Sequence, residues 1–292
     1  FLDGPAENDV AFNYKKGQFT DDTGQALVLL DSIESTDYEP DTRDIALRML
    51  AWAEKENAFE NNILGPTSKV ALANFRDNIQ DSRITDKALS NGSAMRIAPI
   101  GCLFRPEQKE DIARYVYLVS RATHTSDVTI AGAAMIAEAV SSAIVKDDFE
   151  KVMEDVFGIE EIGYGMGCET FSPRLGERLR IGLDIAGSYK GDDEGFIHKL
   201  YDVVGTGVGI IESVPAALSV AYYAQDPNLS CLLCANMAGD TDTIGAMATA
   251  VCGAFTGMGR IKPEYIRTLR QQNDADFDHY IRILEKGRER FA

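Results

Sequence analysis

The sequence is short of positive charge. Its 292 residues carry 29 Lys and Arg against 46 Asp and Glu, a formal net charge of -17. Nucleic acids and anionic membranes are held by basic patches, so this balance argues against both as partners. It leaves room for one small phosphorylated ligand held by backbone N–H groups and a cation. Uncharged apolar runs stop short of the ~18 residues of a membrane span. No secretory signal opens the sequence. The five cysteines are odd in number and mostly sit in apolar runs, which fits a reduced protein. We therefore expect a cytoplasmic monomer. Sustained period-2 alternation, exact repeats and low-complexity linkers are all missing, which argues against a sheet or a solenoid.

What is present is helical. Ala26, Leu29, Leu30 and Ile33 fall on one helical face, and Asp41 reads as the N-cap of a second helix with Ile45, Met49, Trp52 and Ala53 as its stripe. Gly65-Pro66 breaks the pattern, and a third helix is predicted from about Thr67 to Ile79. Ile112, Tyr115, Val116 and Val119 make another stripe, and Val128 to Val145 is apolar nearly all round, a central helix. The stretch from Gly158 to Gly195 is weakly patterned, with one helix near Leu175 to Ile185. A helix runs through Tyr223, and Asp274 is expected to cap a last one with Phe277, Tyr280, Ile281 and Leu284 inward. The fold class is all-α, one domain over residues 1–292.

Two acidic clusters organise the chain. Asp240 and Asp242 follow Gly239, just before a small-residue apolar run, Ala246 to Gly257, that reads as a buried helix. Thr20-Asp21-Asp22-Thr23 opens a helix far upstream. Asp and Thr at helix starts are ordinarily caps. A cap explains one acid, however, and not the pair flanking Thr241. Carboxylates about 4 Å apart repel by roughly 4 kcal/mol at an effective dielectric of ~20. Asp21, Asp22, Asp240 and Asp242 brought together would therefore need a cation. Oxygen donors suit Mg²⁺ or Mn²⁺, and Thr20 and Thr243 can add neutral oxygens.

With the Asn91-Gly92-Ser93-Ala94-Met95-Arg96 loop, Thr123-His124 and Glu212-Ser213-Val214-Pro215 in between, these clusters resemble the ADP-ribosylglycohydrolase family over nearly the whole chain. The resemblance implies a compact all-α bundle with two divalent cations, Mg²⁺ or Mn²⁺. It makes Thr20, Asp21, Asp22, Asp240, Asp242 and Thr243 the metal ligands. It implies that Asn91, Gly92, Ser93 and Met95 cradle the diphosphate and ribose of ADP-ribose, and that His124 contacts the same ligand. The implied reaction is hydrolysis at the anomeric carbon of an ADP-ribosylated protein or small conjugate. Asp21, Asp22 and Asp242 are candidates for the general base, although metal-bound carboxylates make poor ones. A hydrolase of a free nucleoside-type conjugate and a non-catalytic ADP-ribose binder stay open.

Two features depart from the family. Its usual Gly-Asp-Ala-x-Gly-x-Pro-x-Glu motif before the first cluster has only a faint echo in Gly4-Pro5-Ala6-Glu7. We expect that an N-terminal helix is missing, which leaves the base unassigned. The run Glu60-Asn61-Asn62-Ile63-Leu64-Gly65 lacks the Asp of the arginine-directed bacterial enzymes, with Glu60 the nearest acid. The Glu212 segment leans toward the serine-directed or O-linked branch. Cys231-x-x-Cys234 and Trp52 read as core, and the charges from Arg282 to Arg290 as a solvated helix face.

Overall fold

The computed structural model describes residues 14–61 and 63–292. Gly4 to Glu7, and Asn62 of the Glu60–Gly65 run, lie outside the described residues. Among those described there are fifteen α-helices and no strands, only two isolated bridges. In order they are α1 (Asp21–Ser35), α2 (Thr42–Lys55), α3 (Pro66–Arg76), α4 (Arg83–Asp86), α5 (Ala98–Gly101), α6 (Lys109–Ser120), α7 (Asp127–Val145) and α8 (Phe149–Tyr164). They continue with α9 (Leu175–Ser188), α10 (Asp193–Val203), α11 (Ile210–Ala224), α12 (Pro227–Asn236), α13 (Thr241–Thr256), α14 (Pro263–Gln272) and α15 (Phe277–Phe291).

The axis of the bundle is α7, which packs on α5, α6, α8, α11 and α13. Ser126 caps it, its hydroxyl accepting from the Thr129 N–H. Small residues allow the close packing. A side chain on Gly163 of α8 would put its Cβ 2.6 Å from Ala131 Cα of α7, and one on Gly132 would meet Ile210 of α11 at 2.7 Å. By length and composition α7 could cross a membrane, yet it lies almost wholly inside the protein. Its Glu138 has a fully buried side chain and is held by Lys109 Nζ at 2.8 Å. Lys109 comes from α6 and also meets Asp155 of α8 at 2.9 Å and the Pro106 carbonyl at 2.8 Å. One continuous core runs from Leu29 to Ile283.

Local signals agree at some ends and not at others. Asp41 caps α2 as expected, accepting from the Arg43 and Asp44 N–H groups. The last helix is capped by Asp276 and not by Asp274. Ile283 and Gly287 face inward there, while Ile281 is exposed. The sequence reading did not set out α8 and α10, which flank the weakly patterned region, or the amphipathic α14, although α8 buries Phe149, Val152, Met153, Val156 and Ile159 at helical spacing. On α1 the buried positions include Gly24 and Gln25, and Ala26 is only half-buried.

The Lys109–Glu138 pair yields a stability prediction. Lys109→Met leaves a carboxylate in the core without its cation and is expected to cost about 3–5 kcal/mol, as removal of one partner of a buried pair does. Adding Glu138→Gln to Lys109→Met restores most of that loss. Chemical denaturation of the single and double variants measures both.

Candidate metal and ligand site

The first turns of α1 and α13 meet, and their acids are not caps. Neither Thr20 nor Asp240, the two N-cap residues, makes a side-chain capping bond. The Thr20 hydroxyl turns inward instead and donates to Asp22 Oδ2 at 2.6 Å. Asp21, Asp22 and Asp242 each bring one carboxylate oxygen within 4.8 Å of the others. Asp240 is not one of these three, but its carboxyl lies against Asp242, and its Oδ2 accepts from Asn91 Nδ2 at 2.6 Å. The Thr243 hydroxyl lies beside both Asp22 and Asp240.

Crowding shows in the protonation of these acids. Burial pushes Asp21 and Asp22 well above the ordinary carboxylate range, and neighbouring carboxylates push further, Asp22 and Asp242 on Asp21, Asp242 on Asp22. Burial raises Asp240 as well, opposed by its hydrogen bond from Asn91. Asp22 is 2% exposed, and its Oδ1 has no hydrogen-bond partner among the described residues. A buried, unpartnered carboxylate oxygen in a nest of acids fits a divalent cation. The donor set is all oxygen, without His or Cys, which suits Mg²⁺ or Mn²⁺ better than Zn²⁺.

The Asn91 loop closes on the other side. Asn91 N–H donates to the Val208 carbonyl at 3.1 Å, and the Asn91 carbonyl accepts from the Ala94 and Met95 N–H groups. Ser93 is fully buried, its hydroxyl donating to the Thr129 carbonyl at 3.2 Å. Met95 is also buried. Gly92 is glycine because His124 lies directly beneath: a Cβ there would sit 2.8 Å from His124 Cε1. His124 is 0% exposed, with Nδ1 2.8 Å from Thr123 Oγ1 and Nε2 3.0 Å from Ser90 Oγ. Both ring nitrogens are thus engaged by protein, and the ring supports the loop from behind.

Three groups that sequence reasoning left without a role shape this site. Glu212 Oε2 accepts from the Gly207 N–H at 2.9 Å and holds the Gly205–Gly209 loop. In that loop the Thr206 carbonyl accepts from the Asp240 N–H at 2.7 Å, and its hydroxyl donates to the Ala238 carbonyl. Gly239, at φ +84°, packs so tightly on Thr206 that no side chain fits. Gln25 and Arg96 are the other two, buried behind Asp21. The Gly before Asp240 and the Glu of Glu212-Ser213-Val214-Pro215 were visible signals; nothing local marked Gln25.

A cavity of about 630 Å³ opens beside Asp21. Tyr14, Phe19, Trp52 and Tyr280 are among its walls, and Asp22, Asn91, Asp240 and Asp242 are not. Trp52 is half-buried, so it both packs on the core against Gly24 and faces this cavity. Cys231 and Cys234 sit on α12, and burial raises both thiols, as inert core cysteines require.

The chain is similar to known proteins over nearly its whole length. The chain is 41% identical over 290 residues to YegU, an uncharacterized protein of Escherichia coli K12, spanning 99% of this chain and 86% of that one. It is 24% identical over 289 residues to the human ADP-ribosylhydrolase ARH3, covering 88% of this chain and 76% of ARH3. A solved structure described as an ADP-ribosylglycohydrolase-related protein complex shares the fold, with a TM-score of 0.67 at 21% identity, over 94% of this chain and 83% of the other. Residues 3–290 match the family described as ADP-ribosylglycohydrolase, and the chain belongs to that family.

Proposed function

We propose that the protein is a divalent-cation-dependent hydrolase that cleaves the glycosidic bond at the anomeric carbon of ADP-ribose in an ADP-ribosylated protein or small conjugate. The observation that carries the reading is the Asp21–Asp22–Asp242 trio with the unpartnered Asp22 Oδ1 in it. Family membership and the likeness to ARH3 support an ADP-ribosyl substrate.

In this reading Asp21, Asp22 and Asp242 hold Mg²⁺ or Mn²⁺, joined by Thr20, Thr243 and Asp240. When bound, the cations supply Lewis acidity and a template for the ribose hydroxyls and a water. Asn91 fixes Asp240 and so ties the loop to the acids. Within the Asn91–Met95 loop the Asn91, Ala94 and Met95 N–H groups are taken by protein carbonyls, so the Gly92 and Ser93 N–H groups are the ones that would face the diphosphate. His124 serves by keeping Gly92 in place, since its own surface is covered. Of the acids, Asp242 is the exposed one, and an incoming water reaches it most easily. The same reading carries a cytoplasmic monomer.

Asp22→Asn removes the charge at the buried centre and is expected to abolish Mn²⁺ binding and hydrolysis together while the protein stays folded. Titration calorimetry with Mn²⁺ and release of ADP-ribose from modified serine, modified arginine and small conjugates check this. A folded variant that still hydrolyses at the wild-type rate would sink the reading. ADP-ribose at a hundredfold over Kd should stabilise the Mn²⁺-loaded protein by about 2.7 kcal/mol and have little effect in EDTA.

Without metal, stability should depend on pH. The folded state keeps protons on Asp21 and Asp22, raised to about 8 and about 7, that the unfolded chain gives up near the ordinary carboxylate value of 3.8. The folded state is then the more protonated between about pH 4 and 8, so stability falls as pH rises through that window. Thermal melts in EDTA at successive pH values should show the fall, and saturating Mn²⁺ should remove it.

A further inference from the structure

The buried guanidinium of Arg96 is the least expected group in the core. Its side chain is 1% exposed, and no carboxylate lies within ion-pair distance of it among the described residues. It makes two bonds in opposite directions. Nη1 donates to Gln25 Oε1 at 2.8 Å, and Nη2 donates to Thr123 Oγ1 at 2.7 Å. Burial lowers its pKa to about 10, which still leaves it charged at neutral pH.

Arginine has donors and no acceptor. That asymmetry dictates the proton order on both sides. Toward the acids, Gln25 must turn its Oε1 to Arg96, so its Nε2 faces Asp21 and donates to Oδ2 at 3.3 Å. A flipped amide would set oxygen against the Asp21 carboxylate and nitrogen against the Arg96 guanidinium. Toward the loop, Thr123 accepts from Arg96, so its own proton is free for His124 Nδ1 at 2.8 Å, closer than its other acceptor, the Ser120 carbonyl at 3.5 Å. His124 is neutral, since burial and then Arg96 push it down to about 3. It therefore carries its proton on Nε2 and donates to Ser90 Oγ at 3.0 Å. Ser90 in turn donates to Thr67 Oγ1 at 2.9 Å.

We propose that Arg96 is a positioning residue that orients two parts of the site at once: through Gln25 it holds the Asp21 carboxylate, and through Thr123 it fixes the His124 tautomer that supports the Asn91–Gly92 loop. The Asp21 arm rests on the metal reading above; the His124 arm does not. One buried cation thereby links the metal-binding acids on α1 to the ligand loop, although it touches neither a metal ligand nor the ligand itself. Outer groups of this kind change metal affinity by about tenfold to a hundredfold when lost.

The test uses three variants, Mn²⁺ affinity by calorimetry and the His124 tautomer by long-range ¹⁵N–¹H correlation. Gln25→Met should weaken Mn²⁺ by about tenfold or more and leave His124 protonated on Nε2. Thr123→Val should do the reverse, keeping Mn²⁺ affinity within about twofold while the tautomers mix. Arg96→Met should show both changes, and Arg96→Lys, with a shorter reach and no fork, should recover one at most. If Arg96→Met does not fold, the two single-arm variants decide alone. Wild-type Mn²⁺ affinity in Gln25→Met, or an unchanged single tautomer in Thr123→Val, overturns the proposal. Wild-type protein that binds no Mn²⁺ overturns the metal reading and the Asp21 arm with it, and leaves the His124 arm to be judged by its own signal.

Discussion

Like charge concentrated where two helix ends meet is the constraint on which the rest of the molecule depends. The first turns of α1 and α13 each carry acids, and the fold drives them together with Asp22 almost out of reach of water. Helix N-termini tolerate such charge better than any other part of the backbone, because free N–H groups and the dipole point at it. They do not neutralise it. Raised carboxyl groups and an unpartnered Asp22 oxygen are the residue of that conflict. A divalent cation resolves it, so in our reading the scaffold stores repulsion that metal binding relieves.

Holding acids in that arrangement requires rigid support from several directions. The α7 axis packs through Gly132 and Gly163 against its neighbours too closely for a Cβ at either position. The Gly205–Gly209 loop, held by Glu212, grips the Asp240 backbone through Thr206, and the same loop receives the Asn91 N–H at Val208. Asn91 then closes the circle by donating to Asp240. The loop and the acids are thus parts of one hydrogen-bonded unit built from residues as distant in sequence as positions 91 and 240. Polar groups in this unit are nearly all satisfied, as a low-dielectric interior demands.

The family relationship and the physical reading support each other without being the same claim. Membership follows from similarity over residues 3–290. The likeness in fold at 21% identity speaks to architecture alone. What the site adds is a chemical reason for the motif residues. The Asn-Gly pair is not only a turn, because Gly92 leaves room for a buried imidazole and Asn91 reaches an acid across the cleft. Asp240 is not a cap, because its side chain makes no capping bond.

How much was legible varies with the range of the interaction. Local sequence determined the all-α class, the run of α7, the cap of α2, and the two acidic clusters with their Thr neighbours, since helix periodicity and cap chemistry act over a few residues. It misjudged the cap of α15, where Asp274 and Asp276 are equally good candidates until packing of Ile283 and Gly287 chooses the register. It missed α8 and α10, although Phe149, Val152, Met153, Val156 and Ile159 of α8 and Phe196, Ile197 and Leu200 of α10 keep helical spacing on their buried faces. Only the tertiary structure decided that His124 sits behind Gly92, that Asp240 is bound by Asn91 beside Asp242, that Trp52 faces a cavity, and that Gln25 and Arg96 lie behind Asp21. Those facts depend on contacts between residues tens to hundreds of positions apart, and burial, direction of hydrogen bonding and charge proximity exist only once the chain has closed on itself.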